Sequence, residues 1–224
     1  MNMHVKAVLF DLGGTLIKTA EIPRIYKRIL KSQGIMISAE KIAKVHRENE
    51  KNVDVVEGQA KHGRDFWVKW NSRILENLGI EDNVEFLAKK IDELWWDCAD
   101  LELYPDVIPT LRRLKAKGIT TGIVTNALES DYQRILQKLR LTDSFGIVVG
   151  LDSCGKGKPS KEIFQCAIDR LGIRPDEALF VGDSIRYDYE GAKNAGLKPL
   201  LIDRERKETR AKSLGDLTQV LRYL

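Results

Sequence analysis

A strand-and-helix alternation that starts at the N-terminus, breaks off after one strand and resumes only near Pro105 is what most constrains this chain. Five short apolar, β-branched runs read as strands: Val5–Asp11, Ile119–Thr125, Phe145–Gly150, Ala178–Val181 and Pro199–Ile202. Most are continuously apolar rather than alternating, the pattern of strands buried on both faces. From Ile119 onward they alternate with helical patterns at Asp131–Leu139, Ser160–Leu171 and Tyr187–Ala195. Gly118, Gly172 and Gly196 stand where helix C-termini should be, each followed by the next strand. This order demands an α/β fold: a doubly wound, mainly parallel sheet in a three-layer, Rossmann-like core.

The interruption is helical throughout. Ile22, Tyr26, Ile29 and Leu30 share one helical face; so do Trp67, Trp70, Ile74 and Leu78, and again Val84, Leu87, Ile91, Leu94 and Cys98. Ser38 is placed to cap a further helix. Residues 18–100 are therefore expected to form an inserted helical bundle, and residues 1–17 with 101–224 the α/β core. All four tryptophans (Trp67, Trp70, Trp95, Trp96) fall in the insertion, where they are read as its own core, with one of the adjacent Trp95 and Trp96 expected to look toward the cleft.

Composition excludes several function classes. Lys and Arg outnumber Asp and Glu by only 37 to 33, too mild a balance to call for a nucleic-acid or anionic-membrane partner. No apolar run approaches the ~20 residues of a membrane span. Met1–Phe10 runs straight into Asp11 without a cleavage site. Cys98, Cys154 and Cys166 are odd in number and lack C-x-x-C spacing, which argues against a disulfide framework or a zinc site and for a reducing cytoplasm.

In a doubly wound sheet, ligands bind beyond the carboxyl ends of the strands. Those ends carry Asp11-Leu-Gly-Gly-Thr15, Thr125-Asn126, Gly182-Asp183-Ser184 and, after Gly150, a loop ending in Lys156-Gly-Lys158-Pro159. With Asp188 they offer three carboxylates, hydroxyl and amide groups and one or two lysines. Clustered carboxylates repel unless a cation lies among them, and an oxygen-only set that retains water is how proteins hold Mg²⁺ beside a phosphate. Metal, lysine and aligned donors are the equipment of phosphoryl transfer.

These four segments resemble, in order, the motifs of the haloacid dehalogenase superfamily of hydrolases, in the branch with a helical cap inserted after the first motif: Val8–Leu16, Gly122–Asn126, Gly157–Phe164 and Val181–Asp188. The resemblance implies a phosphatase in which Asp11 is the nucleophile and becomes an aspartyl phosphate. It implies that Thr125 and Asn126 bind phosphoryl oxygens or orient the nucleophile, and that Lys158 bridges Asp11 and the transferring group. Mg²⁺ would be held by Asp11, Asp183, Asp188 and the Gly13 carbonyl, and Thr15 would fix the turn. The implied partner is a small phosphorylated substrate, with no nucleic acid and no membrane, on a cytoplasmic monomer or homodimer whose cap closes over the site.

Gly13 departs from the family pattern, in which a second Asp protonates the leaving group and then activates water. General acid–base catalysis is worth ~10²–10⁴-fold. A cap residue such as His46 or His62 could supply the proton, or the substrate could carry a good leaving group. Two other readings stay open: a non-catalytic descendant that binds a phosphorylated ligand or a protein, and a phosphonatase or dehalogenase. A phosphonatase would need a Schiff-base lysine, for which Lys18, Lys27 and Lys44 are the candidates. Two decoys are set aside. Gly150–Gly157 nearly matches a nucleotide-binding P-loop, but Gly157 stands where Ser or Thr is required. The basic stretch Arg204–Lys212 reads as a solvated loop.

Overall fold

The computed structural model describes residues 4–51, 53–205 and 211–224. The chain divides into two compact units, residues 1–18 with 102–224, and residues 19–101.

The first unit is built on a six-stranded sheet: β1 (Ala7–Phe10), β4 (Thr120–Val124), β5 (Ile147–Val149), β6 (Ala178–Gly182), β7 (Lys198–Ile202) and β8 (Ser213–Leu214). Its order is β5-β4-β1-β6-β7-β8 and every pairing is parallel. Every residue of β1 and β6 is buried, as the continuous apolar runs require. Helices α6 (Val107–Ala116), α7 (Glu129–Lys138), α8 (Lys161–Leu171) and the short α9 (Gly191–Asn194) flank the sheet. Under α8, Ile163, Phe164, Ala167 and Ile168 pack with Leu9, Val124, Val149 and Phe180 in one apolar cluster. The expected α/β core with an inserted helical region is thus the observed architecture. Gly118, Gly172 and Gly196 do end helices, each at positive φ. Missed from sequence are β8 and a two-residue antiparallel pair, β2 (Ile17–Lys18) with β3 (Glu102–Leu103), all too short to show periodicity.

The second unit holds α1 (Ile22–Ser32), α2 (Ala39–Glu50), α3 (Val55–His62), α4 (Arg64–Asn77) and α5 (Val84–Cys98). Ser38 caps α2, its hydroxyl accepting from Lys41 N–H at 3.2 Å. Tyr26, Ile29, Ile42, Trp70, Ile74, Leu87 and Ile91 form the centre of one apolar cluster, with Trp67, Trp95 and Trp96 partly buried against it. Tyr26 donates to Asn71 Oδ1 at 2.5 Å, so the buried phenol is satisfied inside the bundle.

Two expectations are corrected. The structure pairs Cys154 with Cys166 in a disulfide and leaves Cys98 free. Without C-x-x-C spacing the pair was invisible; the fold brings the loop after β5 against α8. The cysteine count therefore no longer speaks for a reducing compartment. A link across a separation of 12 residues stabilises by ~3 kcal/mol. A thiol reagent applied to protein denatured without reductant is expected to count one thiol per chain, and three after reduction; three at the outset would contradict the pairing. The second correction is Arg204, whose side chain is 23% exposed and forks onto Asp106 rather than lying in solvent. Residues 206–210 of that basic stretch lie outside the described residues. Among the described residues no helix is long and apolar enough to cross a membrane.

Candidate active site

The topology decides where a ligand can sit. From β1 the chain builds outward on one side through β4 and β5, then returns to the other side for β6, β7 and β8. The connections leaving β1 and β6 thus diverge, and the crevice they open at the strands' carboxyl ends is the switch point of a doubly wound sheet. Asp11 follows β1, Thr125 follows β4 and Asp183 follows β6. The ladder continues just past the strands: Asp11 N–H donates to Val181 O and Thr125 N–H to Val149 O, each at 2.9 Å. The sheet thus holds the backbone N–H groups of Asp11 and Thr125, while the turn that follows Asp11 leaves the sheet.

Lys158 stands at the centre. Only 2% exposed, its Nζ donates to Asp11 Oδ1 at 2.5 Å and to Asp188 Oδ1 at 2.6 Å. A buried ammonium persists only when paired. Burial alone would lower its pKa, but Asp11 and Asp188 outweigh that and hold it above the ordinary lysine value. Asn126 fixes the lysine backbone from both sides, its Oδ1 accepting from Lys158 N–H at 2.7 Å and its Nδ2 donating to Lys158 O at 3.1 Å. Thr125 is buried, and its hydroxyl accepts from Ala127 N–H at 3.2 Å. The two residues after β4 thus shape the loop and place the lysine.

Two glycines allow the acids to close in. A Cβ on Gly14 would lie 2.2 Å from Asp183 Oδ2, and Gly14 has φ +77°, so both contact and conformation require glycine there. A Cβ on Gly182 would lie 2.3 Å from Asp188 Cγ. Asp188 is held by a π-helical turn over Ile185–Glu190. Ser184 N–H donates to Asp188 Oδ2 at 2.9 Å while Ser184 Oγ accepts from Tyr187 N–H at 3.1 Å. The sequence suggested an ordinary helix here; the π-turn instead bends Asp188 back toward β6, a use of π-turns common at functional sites. Gly13 differs from its neighbours: a Cβ there meets nothing within 4 Å.

Asp11, Asp183 and Asp188 each offer a ligand oxygen, all within 4.8 Å of one another. Two buried carboxylates, Asp11 and Asp188, and the exposed Asp183 face one ammonium, an excess of negative charge that is costly at the two buried groups. Burial lifts the Asp11 carboxyl to about 7, with Asp188 and Asp183 adding to the rise and Lys158 opposing it. A divalent cation removes that excess. The donor set is all oxygen, without imidazole or thiolate, which suits Mg²⁺. The residues present therefore fit such an ion.

The substitute proton donors fare differently. His46 is enclosed by its own bundle, its ring 5.6 Å from Trp70 and 6.2 Å from Tyr26, with Nδ1 3.6 Å from Glu50. Burial lowers its pKa, against the pull of Glu50. His62 is exposed at the end of α3. Lys18 is paired to Glu102 at 2.7 Å, which raises its pKa, the wrong direction for an amine that must attack a carbonyl. Lys27 and Lys44 are exposed. The P-loop decoy forms a 3₁₀ turn over Leu151–Ser153 and then the disulfide at Cys154, with α8 starting only at Lys161. Sequence reasoning missed Arg204, which reaches the Thr15 carbonyl in the loop after Asp11, and Asp106, which accepts from the same guanidinium; lying outside the recognisable motifs, they carried no signal.

Comparison with known proteins agrees with this geometry. The family model of the haloacid dehalogenase-like hydrolases matches residues 5–196. A glyceraldehyde 3-phosphate phosphatase of Methanopyrus kandleri is 32% identical over 205 residues, covering 89% of this chain and 84% of that protein. Pyrophosphatase PpaX of Bacillus cereus (strain G9842) is 33% identical over 201 residues, with the same coverage of 89% and 84%. Among solved structures, a 2-haloacid dehalogenase of Pseudomonas syringae pv. Tomato DC3000 superposes with a TM-score of 0.72 at 25% identity, covering 97% of each chain. With a carboxylate triad around a buried lysine at the switch point of a parallel sheet, and these relatives beside it, the chain belongs to the haloacid dehalogenase-like hydrolases, and it is an enzyme of that family.

Proposed function

We propose that this enzyme is a Mg²⁺-dependent phosphatase of a small phosphorylated molecule, working through an aspartyl phosphate on Asp11. One observation carries the reading: Lys158, buried between Asp11 and Asp188 within the triad that Asp183 completes. Bound at Asp11, Asp183, Asp188 and the Gly13 carbonyl, Mg²⁺ would neutralise charge on the phosphoryl oxygens and on the acids. Asp11 Oδ attacks phosphorus while the bond to the leaving oxygen breaks, and that oxygen departs with the electron pair. Lys158 holds Asp11 in place and offsets the charge of the transferring group. Water then attacks phosphorus, the Asp11–phosphorus bond breaks, and phosphate leaves. The inserted helical unit is assigned the selection of substrate. Dehalogenases of this superfamily need no metal, so a dehalogenase reading would leave the approach of Asp183 to Asp11 and Asp188 without a cation to bind.

Gly13 sharpens the substrate class. With no acid at this position, the leaving oxygen must depart unaided, which favours acidic leaving groups such as phenolate, acyl or phosphate. The relatives' named substrates give a direct comparison, because glyceraldehyde 3-phosphate leaves an alkoxide and pyrophosphate leaves a phosphate. Wild-type enzyme is expected to turn over phenyl phosphate and pyrophosphate faster than glyceraldehyde 3-phosphate. Gly13→Asp inserts a side chain where nothing lies within 4 Å of its Cβ. It is expected to raise phosphate release from the alkyl ester by at least about tenfold, part of the ~10²–10⁴ that an acid–base group supplies. Equal rates on all three substrates, with no gain in the variant, would overturn the leaving-group reading. The absence of release from any of them would favour a binding protein.

A further inference from the structure

We infer that Arg204 is a positioning residue for the loop that carries Asp11, an assignment that rests on the phosphatase reading above. Its guanidinium donates to Asp106 twice, Nη1 to Oδ2 at 2.6 Å and Nη2 to Oδ1 at 3.1 Å, and Nη2 also donates to Thr15 O at 3.0 Å. The guanidinium carbon lies 3.7 Å from the centroid of the Tyr104 ring. Asp106 accepts further from Leu217 N–H at 2.9 Å. Its side chain is 5% exposed against 23% for Arg204, so this is not the solvent-exposed pair that contributes little. One arginine thereby joins four segments: the end of β7, the stretch after β3, the C-terminal turn Leu217–Tyr223 and the loop after β1.

The contact with Thr15 is the informative one. The turn after Asp11 satisfies most of its own backbone: Leu16 N–H and Ile17 N–H both donate to Leu12 O, and Gly14 N–H donates to Ile17 O. Arg204 takes the Thr15 carbonyl, while its own Nε is buried and finds no partner among the described residues. A buried, unpaired donor costs stability. The side chain thus forgoes a hydrogen bond of its own and uses Nη2 to bridge Asp106 and Thr15. Asp183 lies against Gly14, closer than a Cβ would allow. Asp11 and the Gly13 carbonyl are borne on a turn gripped at adjacent residues, by Asp183 at Gly14 and by Arg204 at Thr15. A single ammonium can neither fork nor stack in this way, so lysine does not replace arginine here.

Misplacing a nucleophile by about 1 Å costs as much as ~10²-fold in rate. Arg204→Gln and Arg204→Lys should be compared with wild type for Mg²⁺-dependent phosphate release from phenyl phosphate, well below each variant's own melting temperature, with Asp11→Asn as the blank. Amide hydrogen exchange over residues 12–17 and over β1 is measured alongside. The lysine variant keeps a charge for the buried Asp106 and so guards against simple misfolding. Both variants are expected to lose roughly 10- to 100-fold in kcat with KM within about twofold. Exchange over 12–17 should rise about tenfold while β1 stays protected. A kcat within twofold of wild type, with or without faster exchange, overturns the inference and leaves Arg204 an ordinary structural ion pair. Should wild type itself release no phosphate, the phosphatase reading fails, and unchanged exchange over 12–17 in both variants would then overturn the grip on the turn as well.

Discussion

Lys158→Met is expected to lower Mg²⁺-dependent phosphate release by ~10²–10³-fold, the usual cost of removing one charge-stabilising donor from a preorganised site. No other cation can take its place without rebuilding the loop, because Asn126 fixes this backbone and Asp11 and Asp188 fix this ammonium. The same substitution should change the response of stability to pH. In metal-free wild type the Asp11 carboxyl is already raised to about 7 by burial, from an unfolded value of 3.8. A folded pKa above the unfolded one means that the folded state binds more protons, so the contribution of Asp11 to stability falls as pH rises from about 4 through 7. Lys158 opposes that rise, and without it the folded pKa moves higher and the fall extends further up the scale. Denaturant unfolding in a chelator should therefore show a small difference between wild type and variant at pH 5 and a larger one at pH 8. Breaking a buried pair costs up to ~3–5 kcal/mol, which bounds the difference at pH 8. Added Mg²⁺ should narrow it. A variant with full activity and the same difference at both pH values would show that Lys158 is merely packed.

The sheet and the strand-end residues were legible because both follow from local pattern. Continuous apolar runs such as Ala178–Val181 read as strands with two covered faces, and that order of strands and helices admits few topologies. That these residues would meet was readable because a doubly wound sheet brings strand ends together wherever they lie in the chain; Asp11 and Lys158 meet across 147 residues for that reason. What stayed hidden depends on side chains meeting outside any repeating pattern. Cys154 and Cys166 carry no recognisable spacing, and only the approach of the loop after β5 to α8 pairs them. Arg204 sits in a basic stretch that composition assigns to solvent, and Asp106, 98 residues away, offered no hint of its partner. The resemblance implies that Asn126 binds phosphoryl oxygens or orients the nucleophile; the bond it makes from both ends of its amide to the Lys158 backbone could not be read from its motif. His46 stood with His62 and the acids of the insertion among the groups that could supply a proton; three-dimensional packing encloses it between Tyr26 and Trp70.

The largest expected effect belongs to Asp11→Asn. The amide is nearly isosteric with the carboxylate and can still lie beside Lys158, so the fold should survive. It cannot attack phosphorus as a carboxylate does, and it removes one of the three acids that converge within 4.8 Å. Since Asp11 is buried and charged partners surround it, replacing it by a neutral amide should raise rather than lower the stability of the metal-free protein. Loss of activity and gain of stability in one variant separate a chemical role from a structural one. The decisive measurement is phosphate release from phenyl phosphate and pyrophosphate by wild type and Asp11→Asn, each with Mg²⁺ and with chelator. Release is expected from wild type with Mg²⁺ only, with a fall of ~10⁴-fold or more in the folded variant, in line with loss of a catalytic nucleophile. Release that persists in Asp11→Asn, or that ignores Mg²⁺, would contradict it.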